Sequence, residues 1–428
     1  MREKELDQRV EELNRTLIVE TPTDEMRDEL RAASSELDGF RNEMSHAHPS
    51  FGRGRVDGTL PETWPDAWRS LAVVEYVAGE KSTIAFVMTL GTDGKRAVRA
   101  VRIAVTHEEL TREANQLAEL VAKRAYGYRA SARRLYDLLL APLEPSLAAY
   151  ETICVIPDDV LWNVPFQALL APNGKPVVDR HAVFYAQSLV LLAKTVTRTT
   201  ETRPRLLAFG NPTVGAPTRA TFRSLFRDRS LGSLEDAETE VRALARMYSP
   251  ERSLAFYGRE AREDVAKKEA QSFDILHFAA HAMVDDRAPM YSSIVLAAGP
   301  SQTSEDGLLE AREIVDLPLR AELAVLSACD TARGKLAGSE GVIGLAWAFF
   351  AAGCPTTVVS QWKADSRATS LLMIEFHRRL LAGDSTAAAL RHAQLALRRN
   401  PEYAHPFYWA PFVAIGAAQR GVGGLESK

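Results

Sequence analysis

The spacing of hydrophobic and polar positions changes twice along this chain, and each change marks a boundary. In the first fifty residues the period is helical: Leu6, Val10, Leu13 and Leu17 recur at steps of four, three and four, and Met26, Leu30, Ala33, Leu37, Phe40 and Met44 repeat the stripe. Thr21-Pro22-Thr23-Asp24 separates the two runs, with Thr21 placed as an N-cap, Pro22 at the first helical position and Asp24 in the first turn. The pattern predicts a helical hairpin, because two matched apolar stripes bury each other or a partner helix.

Beyond the Pro/Gly-rich segment 48–68 the period becomes two. Residues 72–77, 82–89 and 98–105 predict strands, the first two paired across Gly79-Glu80-Lys81. Helices are expected over 107–124 and 128–141, then strands at 151–157 and 178–185. From Arg203 onward short apolar runs alternate with helical stripes. Strands are expected at 203–210, 253–257, 273–279, 292–297, 322–328, 356–362 and 412–416. Helices are expected at 234–247, 260–270, 338–352, 366–382 and 385–399. Gly383 ends one helix and Asn400-Pro401 the next. This alternation predicts the α/β class, with a mostly parallel sheet covered by helices. The expected organisation is a helical arm over 1–50, α/β units over 68–200 and 204–416, and a polar tail over 417–428. No period of 34 or 40 residues runs through the chain, which argues against a repeat array.

Composition narrows the function classes. With 46% hydrophobic and 25% charged residues among 428, the chain can bury two or three ordinary cores without staples. A net charge of −4 leaves no global basic field, and the local run Arg219, Arg223, Arg227, Arg229 reads as a solvated loop, so no direct nucleic-acid partner is expected. Cys154, Cys329 and Cys354 lie far apart with no CxxC pair, which fits neither a zinc ribbon nor a disulfide scaffold and suits a reducing, cytoplasmic setting. The N-terminus is charged and lacks the apolar core of a signal peptide. The most hydrophobic stretch, 342–359, is interrupted by Gly353-Cys354-Pro355 and reads as a buried helix followed by a strand, so no membrane partner is expected.

Two apolar runs carry reactive side chains just past their ends: Phe273-Asp-Ile-Leu-His-Phe-Ala-Ala-His281 and Leu323-Ala-Val-Leu-Ser-Ala-Cys329. Parallel strands deliver such residues to the edge outside their carboxyl ends, where sites form in open α/β sheets. An imidazole beside a thiol stabilises the thiolate and can then protonate a leaving amine, so the pair reads as a nucleophilic dyad. A tetrahedral oxyanion needs backbone N–H donors from turns at strand ends, and Ala282 and Cys329 are the candidates. A lone Cys or His at a strand end is ordinarily a buried core group. Their pairing on neighbouring strand-loop units is what points to chemistry. His277, four residues before His281 and on the same strand face, raises metal ligation. No third ligand follows at plausible spacing, so His277 reads as a buried support beneath the site, and no metal or other cofactor is expected.

These residues also carry a family resemblance. Leu276-His-Phe-Ala-Ala-His281, Ser293-Ile-Val-Leu296, Leu326-Ser-Ala-Cys-Asp-Thr-Ala-Arg-Gly334, Glu340-Gly341, Ala348-Phe-Phe-Ala-Ala-Gly353, Gln361-Trp362 and Phe407-Tyr-Trp-Ala-Pro-Phe412 resemble, in that order, the CHAT domain. CHAT domains are caspase-like peptidases often joined to tetratricopeptide repeats. Cys154-Val-Ile-Pro157, Val164-Pro-Phe166, Leu169 and Leu135-Tyr-Asp-Leu-Leu-Leu-Ala-Pro142 resemble the same family's N-terminal half, so the likeness covers about residues 70–416. It implies a caspase-like fold in which an inactive half, 68–200, supports a catalytic half, 204–416. The family's histidine falls on His281 and its nucleophile on Cys329, roughly 50 residues later, a separation like that of caspases. Two departures stand out. Ala282 occupies a position where the family usually has glycine, adding a methyl but keeping the backbone donor. The short arm over 1–50 stands where relatives carry sensor repeats, and reads as the end of a tetratricopeptide-like sensor region or as a dock for a sensor on another chain.

Asp330, Glu340, Gln361 and Trp362 are expected at the cleft rim. A carboxylate lining the primary pocket would select a basic residue before the scissile bond; Asp330 capping its turn and Glu340 opening a helix is the competing reading. The loops around 283–291 and 330–340 have the polar, small composition of mobile site loops. The expectation is a cytoplasmic cysteine endopeptidase, held low until a sensor or activating protein orders those loops. The resemblance implies an effector that cuts a specific partner protein in bacterial, antiphage defence or programmed death. The alternative is a non-catalytic signalling scaffold that binds partners through the helical arm, and a third reading is acyl transfer to an amine by the same dyad.

Overall fold

The computed structural model of the chain describes residues 64, 66–91, 94–195, 203–216, 218–219, 231–284, 289–299, 305–327 and 340–422, with scattered positions between 6 and 36. The chain divides into two compact units, 1–57 with 215–232 and 58–214 with 233–428. In the smaller unit Leu6, Val10 and Ala33 are buried. Arg9 of the first apolar run pairs with Glu29 at 3.5 Å and Glu36 at 4.0 Å in the second. Leu17, Leu37, Phe40 and Met44 of the predicted stripes, and Arg223, Arg227 and Arg229, lie outside the described residues.

The strands of the larger unit are β1 (Leu71–Ala78), β2 (Thr83–Leu90), β3 (Arg96–Ile103), β4 (Thr152–Ile156), β5 (Ala182–Tyr185), β6 (Leu206–Pro212) and β7 (Ser253–Gly258). They continue with β8 (Ile275–Ala279), β9 (His281–Met283), β10 (Ser293–Val295), β11 (Leu308–Glu310), β12 (Leu323–Leu326), β13 (Thr356–Ser360) and β14 (Phe412–Gly416). Eleven of them form one sheet in the order β3-β2-β1-β4-β5-β14-β13-β12-β8-β6-β7, and β11-β10-β9 form a small second sheet. In the large sheet β2 runs antiparallel to both β1 and β3, β13 and β14 are antiparallel, and the other neighbours run parallel. The central strands β8, β12 and β13 are buried at every position, the burial expected of continuous apolar runs covered on both faces. The edge strand β3 is exposed at most positions.

Local chemistry accounts for the flanking helices. His107–Ala122 begins with a capping box between Thr106 and Glu109, and Ser366–Leu381 and Thr386–Arg398 are capped by Asp365 and Ser385. The apolar stretch 342–359 forms the helix Glu340–Ala351 and then β13, with Gly353 between them at φ 106°. Among the described residues no helix is long and apolar enough to cross a membrane.

Three features depart from the sequence pattern. First, the two expected α/β units share a single sheet, because β14 pairs antiparallel with β13 on one side and parallel with β5 on the other. Gly416 ends β14 at φ 104°, and a Cβ there would sit 2.1 Å from the Pro355 carbonyl oxygen, so only glycine fits the seam. Second, 178–185 is a strand only from Ala182, and Val177–Asp179 forms a 3-10 turn. The Arg391 guanidinium takes the Val178 and Asp179 carbonyls at 2.7 and 2.6 Å, and Arg398 holds the Asp179 carboxylate, so those groups are engaged by side chains from the C-terminal half. Third, the predicted strand at 292–297 belongs to the small antiparallel sheet, where β9 and β11 had been expected as loop.

Candidate active site

The two strands that lead to the reactive residues are direct neighbours. β8 and β12 run parallel in a register that opposes Ile275 to Leu323 and Phe278 to Leu326, so their carboxyl ends coincide. His281 follows Phe278 by three residues and Cys329 follows Leu326 by three. Cys329, Asp330 and the side chain of Glu340 lie outside the described residues. At Ala280 the chain leaves the large sheet and enters β9, where His281 opposes Val295 and Ala282 opposes Ile294. His281 and Ala282 are both buried. The histidine is thus held on a strand of the small sheet, a placement whose sequence signal was only the short run Ser293-Ile-Val and the pair Leu308-Leu309.

A charged hub fastens the small sheet to the body of the unit. Lys267 Nζ donates to Glu263 at 2.7 Å, to Glu313 at 2.8 Å and to Glu305. The other Glu263 oxygen accepts the Gly307 N–H at 2.8 Å, beside β11, and the Glu263 N–H donates to Ala297, beside β10. Burial pushes the Glu263 carboxyl up to about 8, with the neighbouring Glu305 adding to the rise. Burial opposes the charge on Lys267, but its three carboxylates outweigh that and raise its pKa. These carboxylates cluster closely enough to suit a metal ion, and the cation they share is the Lys267 ammonium.

Beneath the strand ends runs a second polar group of residues. His277 Nε2 lies 2.7 Å from Glu240 Oε1, His277 Nδ1 lies 3.1 Å from His377 Nε2, and His377 Nδ1 lies 2.9 Å from the Tyr248 hydroxyl. All four residues are buried. Burial pushes Glu240 up to about 8 and His277 down to about 3, and it lowers His377 strongly, with His277 adding to that. At neutral pH the chain therefore consists of neutral groups. The Ser327 hydroxyl works the other way on Glu240, favouring its carboxylate, although Ser327 Oγ makes no hydrogen bond of normal geometry. Glu240, His377 and Tyr248 were not singled out in the sequence. The available signal was polar residues on apolar helix stripes: Glu240 with Leu244 and Tyr248, and His377 with Met373 and Leu380.

The remaining candidates are placed as follows. Gln361 is buried, with its side-chain amide donating to the Trp162 carbonyl at 2.8 Å, and the buried Trp362 donates its indole N–H to Phe407 at 3.1 Å. The Gln361 amide N–H and the Trp362 indole N–H are thus both engaged within the fold. Cys154 and Cys354 are fully buried. Burial, with Glu75 nearby, raises the Cys154 thiol well above the ordinary range, and the Cys354 thiol contacts the Thr356 carbonyl. Both behave as small core hydrophobes.

A mostly parallel, helix-flanked sheet whose central strands end together beneath a histidine places the molecule in the caspase-like class of α/β folds. The chain belongs to the CHAT domain family, whose profile matches residues 129–417. Human tetratricopeptide repeat protein 28 is 24% identical over 324 residues, covering 67% of this chain and 13% of the relative. The mouse protein of the same name is 33% identical over 110 residues, covering 26% of this chain and 4% of its own length. The chain thus spans only a small part of these relatives. Among solved structures, the Saccharomyces cerevisiae separase–securin complex matches with a TM-score of 0.50 at 11% identity, covering 82% of this chain and 30% of that one. The Arg specific cysteine proteinase gingipain R matches with a TM-score of 0.40 at 9% identity, covering 74% and 75%.

Proposed function

We propose that this chain is a cysteine endopeptidase with His281 and Cys329 as its dyad. The observation that carries the reading is the register of β8 and β12, which opposes Phe278 to Leu326 and starts both reactive segments from the same level of the sheet. In the proposed reaction the Cys329 thiolate attacks the scissile carbonyl carbon, and the imidazolium of His281 protonates the departing amine. A water deprotonated by His281 then hydrolyses the thioester. Backbone N–H groups of Ala282 and Cys329 are proposed to receive the oxyanion. Asp330 and Glu340 are the proposed pocket carboxylates, and preference for Arg- over Leu-terminated peptides tests them.

The proposed regulation is activation by a sensor protein, and the proposed substrate is a specific partner protein. The association of relatives with tetratricopeptide repeats supports a protein partner. The setting in bacterial defence or cell death rests on the family resemblance alone, and the proposed cytoplasmic location rests on the scattered cysteines without a CxxC pair. A substrate screen comparing wild type with Cys329→Ala tests the enzyme: cleavage products are expected from wild type only, and equal processing by both removes the assignment in favour of the scaffold reading.

A further inference from the structure

The outer strand β3 is built on one three-residue unit, Arg96-Ala-Val-Arg99-Ala-Val-Arg102. It stands at the end of the large sheet, and among the described residues it pairs with β2 alone. A strand edge presents a row of unpaired backbone donors and acceptors, which proteins ordinarily blunt with bulges, prolines, short length or charge. β3 uses only the last of these. It is eight residues long and has no proline, and its register with β2 runs without a shift from Arg96 opposite Leu90 to Ile103 opposite Thr83.

The sheet face beside this edge is apolar. Side chains alternate along a strand, so Val98 and Ala100 share a face with Ile84 and Phe86 of β2 and Val77 of β1. Phe86 lies diagonal to both Val77 and Val98, within reach of an aromatic side chain. Val77, Phe86 and Val98 are 46%, 36% and 64% exposed, three of the six large hydrophobic residues so exposed among the described residues. Scattered exposed apolar residues are ordinary, whereas contiguous ones mark interaction surfaces. Arg96 and Arg102 bracket Val98 and Ala100 on this face, and its one acid, Glu75, lies in β1 on the far side of β2. Arg99, on the opposite face, donates to Ser146 Oγ at 3.2 Å, and the Arg96 guanidinium lies 5.7 Å over the Trp64 ring. Among the described residues none of the three arginines forms an ion pair.

We propose that β3 is a docking edge for an extended segment of another protein, which adds to the sheet as a further strand. That segment carries an acidic residue at every third position, with β-branched or aliphatic residues between. Main-chain hydrogen bonds to the edge supply affinity, and the acids opposite Arg96, Arg99 and Arg102 supply register. The match holds in either strand direction, because Arg99 is the centre of a symmetric repeat. The same symmetry disfavours a second copy of this chain. Two β3 strands paired about Arg99 set Arg96 against Arg102 and Arg99 against itself, and like charges directly opposite destabilise a sheet. The site is independent of His281 and Cys329.

The test is fluorescence anisotropy of a labelled peptide of three Glu-Val-Thr repeats, titrated with the full chain at low salt, where surface charge pairs are least screened. Saturable binding is expected. The double variant Arg96→Glu/Arg102→Glu is expected to weaken it about tenfold or more and to gain affinity for the matching Lys-Val-Thr peptide, since each reversal inverts a cross-strand charge pair. Protection of the buried Cys154 and Cys354 from iodoacetamide shows that the variant is folded, and the peptide comparisons on wild type stand without it. Absence of saturable binding overturns the proposal. Equal binding of a peptide with the same composition and its acids in one block, or of the repeat peptide with a central proline, also overturns it, because neither can pair in register as a strand. Stronger binding of a single-stranded oligouridylate, lost in the same variant, would assign the arginines to nucleic acid. A dimer of the chain dispersed by the variant would assign the edge to a second copy. Both outcomes overturn the proposal. Peptide binding retained by Cys329→Ala is expected, so a chain without peptidase activity still tests this edge.

Discussion

Glu240 ties stability to pH at the level of a single side chain. Its folded value of about 8 lies above an ordinary glutamate near 4.5. Between those values the folded protein keeps a proton that the unfolded chain has released, so this group's contribution to stability falls as pH rises, by about 1.4 kcal/mol per pH unit. His277 and His377 have the opposite sign: their depressed values make the folded state lose stability as pH falls below about 6.5. Urea unfolding of wild type and Glu240→Gln is therefore expected to show the variant gaining on wild type from pH 5 to pH 8, and parallel curves would contradict the buried neutral acid. Lys267 gives a second case. Lys267→Met leaves Glu263, Glu305 and Glu313 without their shared cation, at an expected loss of about 3 kcal/mol. The loss should grow as pH rises through the range near 8 where Glu263 ionises, which the same unfolding measurement reads.

At the scale of elements, the packing of the helix Glu340–Ala351 against the turn Pro289–Tyr291 depends on one missing side chain. A Cβ at Gly344 would lie 2.7 Å from the Pro289 Cβ and 3.1 Å from its carbonyl oxygen. Glycine to alanine normally stabilises a helix by about 1 kcal/mol. Here Gly344→Ala is expected to destabilise by about 1–3 kcal/mol through overpacking, and a raised melting temperature would show that the contact is not as described. Elements were also the level most legible in the sequence. The helix expected over 107–124 is His107–Ala122 because Thr106 and Glu109 form a local cap, and Gly353 marks its helix end at a positive φ. The apolar runs leading to His281 and Cys329 were readable because buried parallel strands leave a continuous signature. What escaped depends on partners distant in sequence. β9 and β11 are three residues long and exist only by pairing with β10, and Glu240 and His377 each meet His277 across separations that no local pattern encodes.

For the molecule as a whole, the continuous sheet predicts that the two halves of the larger unit unfold together. Besides β14, the halves are joined by Gln167 donating to the Ala410 carbonyl at 2.7 Å and by Arg398 paired with Asp179 at 2.5 Å. Pulse labelling in urea has a reporter in each half, Cys154 in β4 and Cys354 before β13, both fully buried. The two are expected to become reactive at the same midpoint, and well-separated midpoints would mean that each half is its own cooperative unit. The position of β14 has a further consequence for synthesis. Of the strands in this sheet it is the last to be made, yet it lies between β5 and β13 in the middle. During translation, at about 5–20 residues per second, the earlier strands emerge as two blocks with a vacant slot between them, each showing an unpaired edge to the cell. The nascent protein passes through a sticky, two-piece stage that ends only when residues 412–416 clear the ribosome, which makes it a natural client for chaperones that shield open sheet edges.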